Sequence, residues 1–335
     1  MIKLGIIYGG ISTEHDISVM SAKSIIENLD KEKYEIHEIY INEYGKYFEK
    51  SSGEREEIYN LVWTLKDLDV VFPVLHGLGG EDGTIQGMFE MLKIPYVGSG
   101  VLASSIGMDK VYTKAIFEKA RIDQAPYIYI KKNKNGYAII DEKFEEEEFK
   151  IEKITDKIKF PMFVKPSNSG SSIGVKKATN NSELKMAIEH AGKYDNKILV
   201  EQGIDAREIE CAVLEDKDII ASTVGEIISA EEFYSFDAKY NIQESKTIIP
   251  AEIEESKMEE IKKLAVKAFK AIDGKGLARV DFFIEKETNK IYINEINTMP
   301  GFTKISMYPK LFEAVGITYS ELLDKLIEKA LNNEN

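Results

Sequence analysis

The sequence predicts an α/β protein that is mixed (α+β) over its whole length. Its N-terminal part is predicted to be a parallel sheet with crossover helices. Over the first hundred residues, short apolar runs alternate with helix-like segments such as Ser18 to Leu29. This order is typical of parallel strands connected by helices. The apolar runs predicted as strands here are residues 4–8, 34–41, 69–75 and 94–97. Later strands, expected in a mixed sheet, are residues 198–201, 208–214, 219–224 and 248–250.

Two helices are predicted in the last third of the chain. Ser256 with Glu259, and Thr318 with Glu321, have the spacing of a capping box, in which two side chains satisfy backbone N–H groups of the first helical turn. The helices predicted from these pairs cover residues 259–272 and 321–331. The hairpin strands predicted between them are residues 279–285 and 290–296.

The composition excludes several classes of partner. The chain has 335 residues, 43% of them hydrophobic, which is enough for two or three domains with cores of their own. Its formal net charge of -14 has the wrong sign for a protein that binds a nucleic-acid backbone or an anionic membrane. Any phosphate-bearing partner should therefore be small and held locally. Gly9 and Gly10 break the first apolar run too soon for a secretory signal, and no later run has membrane-spanning length, so we expect a cytoplasmic protein.

The only cysteine, Cys211, lies in an apolar stretch with no histidine nearby in sequence. A single cysteine cannot form an internal disulfide, and a reactive thiol needs neighbours that lower its pKa. We therefore expect a buried strand thiol and not a nucleophile.

A pair of polar residues ends the second strand of the predicted hairpin. Glu295 and Asn297 follow an apolar run, and because they are two positions apart they share one face of the strand. The opposite face should then carry Tyr292, Asn294 and Ile296.

A second polar pair, Arg279 and Asp281, begins the first strand of the same hairpin. If the two strands pair, Asp281, Glu295 and Asn297 converge on one point, with Arg279 beside it. Two carboxylates and a carboxamide are hard oxygen ligands, suited to Mg²⁺ shared with substrate phosphates. Each residue alone is more simply a strand-end polar group, but four of them on two adjacent apolar strands predict a metal site.

A serine- and glycine-rich turn follows Lys165, which lies near the end of another predicted strand. Residues 167–174 contain four serines and two glycines, and they lack the Gly-Lys-Ser/Thr of a P-loop. Such a turn offers backbone and hydroxyl donors to a phosphate, and Lys165 adds a positive charge at its base. An ordinary flexible hairpin is the alternative, but a lysine on an apolar strand favours phosphate binding.

Two residues in the N-terminal part lie where open α/β sheets bind ligands. Glu14 is in a glycine turn that runs into a helix, where it could pair with a substrate ammonium or only favour the helix N-terminus electrostatically. His76 directly follows an apolar strand, at the carboxyl edge of the sheet. Such residues are more often structural, so position alone leaves both roles open.

The segment Gly98-Ser99-Gly100-Val101-Leu102-Ala103 matches a relaxed dinucleotide-binding fingerprint. Several strand–helix units precede it, whereas that fingerprint normally follows the first strand. A plain strand-to-helix turn that leads to Met108-Asp109-Lys110 is therefore the better interpretation.

Seven segments, taken in order, carry a resemblance that no single one would carry. They are residues 8–18, 75–77 with 80–87, 108–110, 164–166 with 170–175, 237–240, 279–281 and 294–301. Together they span nearly the whole chain. They resemble the ATP-grasp ligases and, within them, very closely the D-alanine:D-alanine ligase family.

The resemblance implies an ATP-grasp fold of three domains, over residues 1–108, 109–200 and 201–335. ATP would lie between the central and C-terminal domains with two Mg²⁺ (or Mn²⁺) ions, and the amino acids would lie at the junction with the first domain. The implied reaction is ATP-dependent ligation of two D-alanines to D-alanyl-D-alanine, a peptidoglycan precursor, through D-alanyl phosphate. The resemblance also implies a homodimer.

The resemblance assigns roles to residues of this sequence. Those implied in catalysis are Glu14, Ser171, Tyr240 and Arg279. Glu14 would receive the ammonium of the first D-alanine, and Ser171 and Tyr240 would orient Glu14. Arg279 would stabilise an oxyanion. Those implied in amino-acid binding are His76, Gly301, Ser306 and Met307. Those implied in ATP binding are Lys110, Lys165, Glu201, Ile204, Glu208, Phe233 and Lys239. The implied metal ligands are Asp281, Glu295 and Asn297, and residues 229–246 are the candidate lid.

Three alternatives are open at this stage. A related ligase whose second substrate is D-lactate usually alters the lid tyrosine, so Lys239 followed by Tyr240 favours an amino acid. A nucleotide-binding sensor without catalysis would not need Arg279 and all three metal ligands. A nicotinamide-dependent oxidoreductase rests only on the turn at Gly98 and predicts dinucleotide binding without metal.

Overall fold

The computed structural model describes residues 1–51, 54–229 and 245–332. These residues form three sheets, which follow one another along the chain, with helices packed against them. The mixed α/β class predicted from the sequence is confirmed. Within the described ranges, every helix is too short or too polar to cross a membrane.

The first sheet has a parallel centre and an antiparallel edge. Its strands are β1 (Ile2–Gly9), β2 (Tyr34–Ile41), β3 (Tyr47–Ser51), β4 (Glu54–Glu57) and β5 (Val70–Val74). The helices of this part are α1 (His15–Asn28), α2 (Leu61–Lys66), α3 (Thr84–Leu92) and α4 (Val101–Met108). The strand order is β4-β3-β2-β1-β5, and β1 pairs in parallel with both β2 and β5. The carboxyl ends of β1 and β5 therefore meet at one edge of the sheet.

Three of the four strands predicted for this sheet are confirmed, and the fourth, residues 94–97, is wrong. Val71 of β5 donates to Pro95 O and accepts from Val97 N, both at 2.9 Å, which makes one isolated bridge instead of a strand. Because Pro95 has no N–H, the ladder cannot extend through it. The turn at Gly98 leads into α4, as the simpler interpretation predicted.

The second sheet is antiparallel throughout. Its strands are β6 (Tyr127–Asn133), β7 (Gly136–Ile140), β8 (Glu146–Glu148), β9 (Met162–Pro166), β10 (Lys176–Ala178) and β11 (Lys197–Gln202). The helices of this part are α5 (Lys110–Lys119), α6 (Ile151–Thr155) and α7 (Asn181–Ala191). The strand order is β10-β9-β11-β6-β7-β8, so β9 and β11 are neighbours inside the sheet, with β10 at the edge beyond β9.

The third sheet is also antiparallel, with the order β14-β13-β12-β15-β16. Its strands are β12 (Ala206–Glu215), β13 (Ile219–Ser229), β14 (Ser245–Ile248), β15 (Leu277–Glu285) and β16 (Ile291–Asn297). Its helices are α8 (Glu255–Ala271), α9 (Met307–Glu313) and α10 (Tyr319–Asn332). The strand predicted at residues 248–250 ends at Ile248 instead, before Pro250, which has no N–H for a ladder.

One of the two predicted capping boxes begins a helix and the other does not. Glu321 N donates to Thr318 Oγ1 at 3.3 Å at the start of α10, so this helix start is confirmed. The box at Ser256 is wrong because α8 already begins at Glu255, with the carbonyl of Glu254 accepting from the first turn. Ser256 therefore lies inside the helix.

A shared core fixes the C-terminal loop against the first sheet. Phe72 of β5 and Phe302 are both fully buried, with ring centroids 5.6 Å apart, and Tyr308 of α9 lies 5.4 Å from Phe302. Burial of each such ring stabilises the fold by about 1.5–3 kcal/mol. The loop between β16 and α9 is thus held at the carboxyl edge of the first sheet.

Cys211 lies on β12 and is fully buried, as predicted. Burial raises the pKa of its thiol to about 12. The group is therefore protonated at neutral pH and is not a nucleophile.

Candidate active site

The residues predicted to form a metal site lie on two adjacent strands. β15 and β16 pair antiparallel, with Arg279 opposite Asn297 and Asp281 opposite Glu295. The hairpin predicted from the sequence is confirmed. Directly opposed residues of an antiparallel pair point to the same side, so all four side chains share one face of the third sheet.

A β-bulge corrects one detail of the second of these strands. The pairing shifts by one residue after Asp281, so Tyr292 and Glu295, three positions apart, point to the same face. Asn294 is the extra residue of the bulge. The prediction that Tyr292 shares a face with Ile296 is therefore wrong, because simple alternation fails at a bulge.

Two carboxylates hold Arg279 in place. Its Nε and one Nη donate to the two oxygens of Asp281, both at 2.7 Å, and its Nε lies 3.1 Å from Glu210 Oε2. Glu210 belongs to β12 and lies directly opposite Asp281. Burial acts to lower the pKa of Arg279, but Asp281 and Glu210 raise it well above its ordinary value. The guanidinium is thus a fixed positive charge on this face.

The carboxylate of Glu14 lies where two loops meet. Glu14 directly precedes α1, is 8% exposed, and accepts a hydrogen bond from Ser171 Oγ, 157 positions along the chain. Ser171 belongs to the serine- and glycine-rich turn. A Cβ at Gly77 or Gly170 would lie 2.7 or 2.8 Å from Glu14 Oε2, so glycine is required for both loops to approach the carboxylate this closely.

His76 is buried between the first sheet and the C-terminal loop. Its Nδ1 lies 3.1 Å from Met299 O, and its Nε2 lies 3.3 Å from Ser21 Oγ. Ser21 Oγ in turn accepts a hydrogen bond from Phe302 N. Burial lowers the pKa of His76 and outweighs the opposing effect of Glu14. A neutral ring satisfies these contacts, with Nδ1–H donating to Met299 and Nε2 accepting from Ser21.

Glu81 connects the loop after His76 to the C-terminal part of the chain. Its Oε2 accepts from Gly77 N at 2.7 Å, and its Oε1 accepts from Met299 N at 3.3 Å. Burial, and then the charge of Glu14, raise the pKa of Glu81 to about 8. Glu81 therefore positions backbone on two sides of the site.

Lys165 and Glu201, both implied in ATP binding, contact each other across β9 and β11. Lys165 Nζ donates to Glu201 Oε2 at 2.6 Å, and Lys114 Nζ lies 2.5 Å from Glu201 Oε1. Burial acts to raise the pKa of Glu201, but the two ammonium groups lower it to about 2. Glu201 is therefore ionised at neutral pH.

A single carboxylate connects the first turn of α5 to the serine- and glycine-rich turn. Asp109 caps α5 by accepting from backbone N–H groups, and it also accepts from Ser167 Oγ and Lys197 Nζ. Lys110, the first residue of α5, donates through Nζ to Ser169 O at 2.7 Å. The helix that carries Lys110 and the turn are thus fixed to each other.

The residues implied in binding the second amino acid lie around the start of α9. Thr303 N donates to Ser306 Oγ at 2.9 Å, and a Cβ at Gly301 would lie 2.8 Å from that oxygen. Met307 is 5% exposed and belongs to the hydrophobic core, where its Cε packs toward Gly225 of β13.

The remaining residues implied in ATP binding follow β11 or fall in the lid. Ile204 is half-buried in the connection to β12, and Glu208 is half-buried on β12 itself. Burial acts to lower the pKa of Lys165, but Glu201, Glu295 and Glu208 together raise it. The residues that lie outside the described ranges are Phe233, Lys239 and Tyr240.

One cleft brings together the lysines of the second sheet's side and one carboxylate of the candidate metal site. Its lining includes Lys110, Lys114, Lys165, Glu201 and Glu295. The cleft thus runs between the second and third sheets, with lysines on one side and a carboxylate of the candidate metal site on the other.

The chemistry of the strand-borne residues fits a divalent cation. Asp281 and Glu295 offer carboxylate oxygens, and Asn297, whose Nδ2 lies 3.1 Å from Asp281 Oδ2, offers a carboxamide oxygen. Mg²⁺ and Mn²⁺ prefer such oxygen donors. In the described part of the chain, no group of three His, Cys, Asp or Glu side chains is placed to hold a metal ion, and at this site two carboxylates are joined by the carboxamide of Asn297.

Three residues that the sequence did not single out contribute to the site, namely Lys114, Glu81 and Asp109. Lys114 follows Lys110 by four positions, so both lie on one face of α5, and this spacing was the available signal. Glu81 offered no comparable signal, because its partner Met299 is 218 positions away.

Comparison with known proteins identifies the family. The family model described as D-ala D-ala ligase N-terminus matches residues 3–99 of this chain. The family model described as D-ala D-ala ligase C-terminus matches residues 116–328. A D-alanine–D-alanine ligase from Acetivibrio thermocellus is 48% identical to this chain and covers 98% of it, with 96% of the relative's own length aligned.

Solved structures of such ligases share the fold over nearly the whole chain. The VanG D-Ala:D-Ser ligase from Enterococcus faecalis has a TM-score of 0.85 at 32% identity, covering 98% of this chain and 99% of that one. The D-alanine–D-alanine ligase from Bacillus anthracis complexed with ATP has a TM-score of 0.79 at 33% identity, covering 99% and 98%. The expected ATP-grasp fold is confirmed. This chain belongs to the D-alanine–D-alanine ligase family.

Proposed function

We propose that this chain joins two D-alanines to D-alanyl-D-alanine, a precursor of peptidoglycan, with cleavage of ATP to ADP and phosphate. Membership of the family makes the chain an ATP-dependent ligase. One structural observation supports the substrate assignment most directly. The turn that offers donors to phosphate reaches Glu14 through Ser171, so an amino acid held by its ammonium at Glu14 has its carboxylate near the phosphate-binding groups.

We also propose three domains, over residues 1–108, 109–200 and 201–335. Each of the three sheets lies largely within one of these ranges, which supports the division. The last strand of the second sheet runs to Gln202, two residues past the second boundary.

The first step transfers the γ-phosphoryl group of ATP to a carboxylate oxygen of the first D-alanine, which yields D-alanyl phosphate and ADP. This activation is needed because a carboxylate does not acylate an amine at neutral pH. Glu14 holds the ammonium of this D-alanine, while Lys110 and Lys165 neutralise phosphate charge. Glu201, Ile204 and Glu208 contact the adenine and ribose of ATP, and Lys239 reaches its terminal phosphate. Phe233 also binds ATP.

In the second step, the neutral amine of the second D-alanine attacks the carbonyl carbon of the acyl phosphate. A C–N bond forms through a tetrahedral oxyanion, phosphate leaves with the electrons of the C–O bond, and the nitrogen loses one proton to the departing phosphate or to solvent. Arg279 and the backbone N–H of Gly301 stabilise the oxyanion. His76 lies beside the first D-alanine, and Ser306 and Met307 contact the second.

The acyl phosphate must be protected from water between the two steps. Residues 229–246 are the proposed lid, with Tyr240 and Ser171 orienting Glu14 as the lid closes. Asp281, Glu295 and Asn297 would hold two Mg²⁺ (or Mn²⁺) ions. When bound, these ions neutralise charge on the phosphates during transfer. The homodimer that the resemblance implies and the cytoplasmic location expected from the sequence stay predictions.

The reaction is tested by measuring phosphate release from ATP and Mg²⁺ with D-alanine, with L-alanine or with no amino acid, and by identifying the products by mass. We expect release only with D-alanine and one D-alanyl-D-alanine per phosphate. Glu14→Gln should abolish this release, whereas Glu32→Gln, which alters an exposed carboxylate of the same domain, should leave it unchanged. Equal release without D-alanine would contradict the proposal.

The second substrate is tested in a separate competition, because a D-Ala:D-Ser ligase is among the structural neighbours. D-alanine is supplied together with an equal concentration of D-serine or D-lactate, and the products are resolved by mass. We expect D-alanyl-D-alanine as the main product. An excess of the mixed product would support phosphorylation of D-alanine as the first step, but it would show that the second substrate is D-serine or D-lactate.

A further inference from the structure

The buried carboxylate of Glu201 has two lysine partners at one end of the cleft. Lys114 Nζ lies 2.5 Å from its Oε1, and Lys165 Nζ lies 2.6 Å from its Oε2. The side chains of Lys114 and Glu201 are only 4% and 5% exposed, and that of Lys165 is 16% exposed. Two ammonium groups therefore share one carboxylate where water scarcely reaches.

The two lysines differ in their other electrostatic partners. At Lys114, burial lowers the pKa more than the attraction of Glu201 raises it. At Lys165, burial also acts to lower the pKa, but Glu201, Glu295 and Glu208 together raise it. Glu295 also raises the pKa of Lys114 and the charge of Lys165 lowers it, so Glu208 is the carboxylate that acts on Lys165 alone, while Glu201 has the largest charge effect on both lysines.

The binding of a nucleotide would create a conflict among these groups. In the proposed function, Lys165 binds phosphates and Glu201 contacts the base. When the ammonium of Lys165 moves to a phosphate, Glu201 loses one partner, and a buried carboxylate left without any partner is strongly unfavourable. Lys114 removes this conflict because it reaches Glu201 from α5, one helical turn after Lys110, and can stay there.

We propose that Lys114 is a positioning residue for the nucleotide, which keeps Glu201 ionised and in place for the adenine amino group while Lys165 binds the phosphates. The identity of the ligand rests on the proposed function. Because Lys114 does not touch the reacting atoms, it should affect affinity and the choice of base, and not the chemical steps. A carboxylate accepts from the exocyclic N–H groups of adenine and repels the carbonyl oxygen of hypoxanthine, so preference for ATP over inosine triphosphate reports on Glu201.

The test compares Lys114→Met with the unaltered enzyme in steady-state kinetics with ATP and with inosine triphosphate. Methionine keeps an unbranched side chain and removes the charge. We expect kcat with ATP to change by less than about twofold and KM for ATP to rise about tenfold. The preference for ATP over inosine triphosphate should fall by about the same factor, as expected for loss of one charge-assisted hydrogen bond.

Two further variants separate positioning from stability. In a Glu201→Gln background, Lys114→Met should cause no further loss of base preference, because Lys114 acts through Glu201. Lys329→Met is the matched control: its Nζ lies 3.0 Å from Glu215 Oε1, and neither residue lines the cleft. This control should lower the melting temperature without changing KM for ATP.

The inference is wrong if Lys114→Met lowers only the melting temperature and keeps both KM and base preference, or if the losses in the double variant add. If Lys114→Met does not fold, Lys114→Gln, which retains an N–H donor without the charge, should show a loss in the same direction. Binding of ATP and inosine triphosphate is also measured by calorimetry. A protein that binds ATP without D-alanine-dependent turnover would contradict the proposed function, and its base preference would still test Lys114.

Discussion

The two ends of the candidate site are built in different ways. At one end, Arg279, Asp281 and Glu295 lie on adjacent strands of one sheet, and strand pairing alone brings them together. At the other end, Glu14 and Ser171 meet across 157 positions, from two loops that belong to different parts of the chain. The charged end is therefore a fixed surface, whereas the amino-acid end depends on separate segments that meet correctly.

This difference indicates where each kind of change should act. Substitutions on the strands should impair phosphoryl transfer and oxyanion stabilisation with little effect on which amino acid is chosen. Substitutions in the loops should change affinity for D-alanine, because loop geometry sets the position of the ammonium site.

The largest effect is expected at the strand end, for Arg279→Met. The change removes the fixed positive charge beside Asp281 and Glu210, so kcat/KM should fall by about 10³-fold. Arg207→Met is the matched control, because Arg207 donates to both oxygens of Glu226 at 2.7 Å in the same sheet. It should lower the melting temperature but keep kcat/KM within about twofold. Equal losses of activity in the two variants would contradict the assignment of Arg279.

A smaller effect is expected for Glu295→Gln, which replaces one candidate metal ligand on the same face. A direct ligand should matter at least as much as a partner in the outer shell, so the Mg²⁺ concentration needed for half-maximal activity should rise by about 100-fold. The measurement is an activity titration with Mg²⁺, and Glu285→Gln, farther along the same hairpin, serves as the control. An unchanged Mg²⁺ requirement would remove Glu295 from the metal site.

At the loop end, Ser171→Ala tests whether the hydroxyl orients Glu14. Loss of the hydrogen bond should raise KM for D-alanine by about tenfold, with a smaller change in KM for ATP. Ser169→Ala alters the same turn, where Ser169 Oγ donates to Ile173 O at 3.0 Å, and should leave KM for D-alanine nearly unchanged. A similar KM for all three proteins would show that the contact is not used for recognition.

The last prediction concerns folding stability, and not activity, and its dependence on pH. The pKa of Glu81 is raised from 4.5 to about 8 in the folded state, so between these values the folded protein keeps a proton that the unfolded chain releases. Stability should therefore decline as pH rises through this window. Urea unfolding from pH 5 to 8 should show a shallower decline for Glu81→Gln. An unaltered decline would argue against Glu81, and Glu90→Gln, at an exposed carboxylate, gives the reference slope.

The same comparison explains how far the sequence could predict the site. The strand end was predictable because polar residues at two-residue spacing on apolar strands share a face, and Arg279, Asp281, Glu295 and Asn297 lie as expected. The bulge at Asn294 was not predictable, because nothing in the local alternation of polar and apolar residues marks the extra position. From the residues alone, the position of Glu14 left its role open, and only the resemblance of seven segments linked it to Ser171.

Long-range polar contacts were the least predictable features. Glu81 bonds to Met299 N, and Lys114 shares Glu201 with Lys165, yet none of these partners is near the other in sequence. Such contacts are set by how the sheets pack, and a local pattern carries no record of them. The failed strand at residues 94–97 has a simpler cause, because Pro95 lacks the N–H that a ladder needs.

The most direct test of the account follows the oxygen atoms of the substrate carboxylate. If D-alanine is first phosphorylated on its carboxylate, one of those oxygens leaves with the phosphate when the second amine attacks. With D-alanine labelled with ¹⁸O in the carboxylate, each phosphate released should carry one ¹⁸O atom, as measured by mass spectrometry. Unlabelled phosphate, formed at the same rate as the dipeptide, would contradict an acyl phosphate intermediate and with it the proposed roles of both ends of the site.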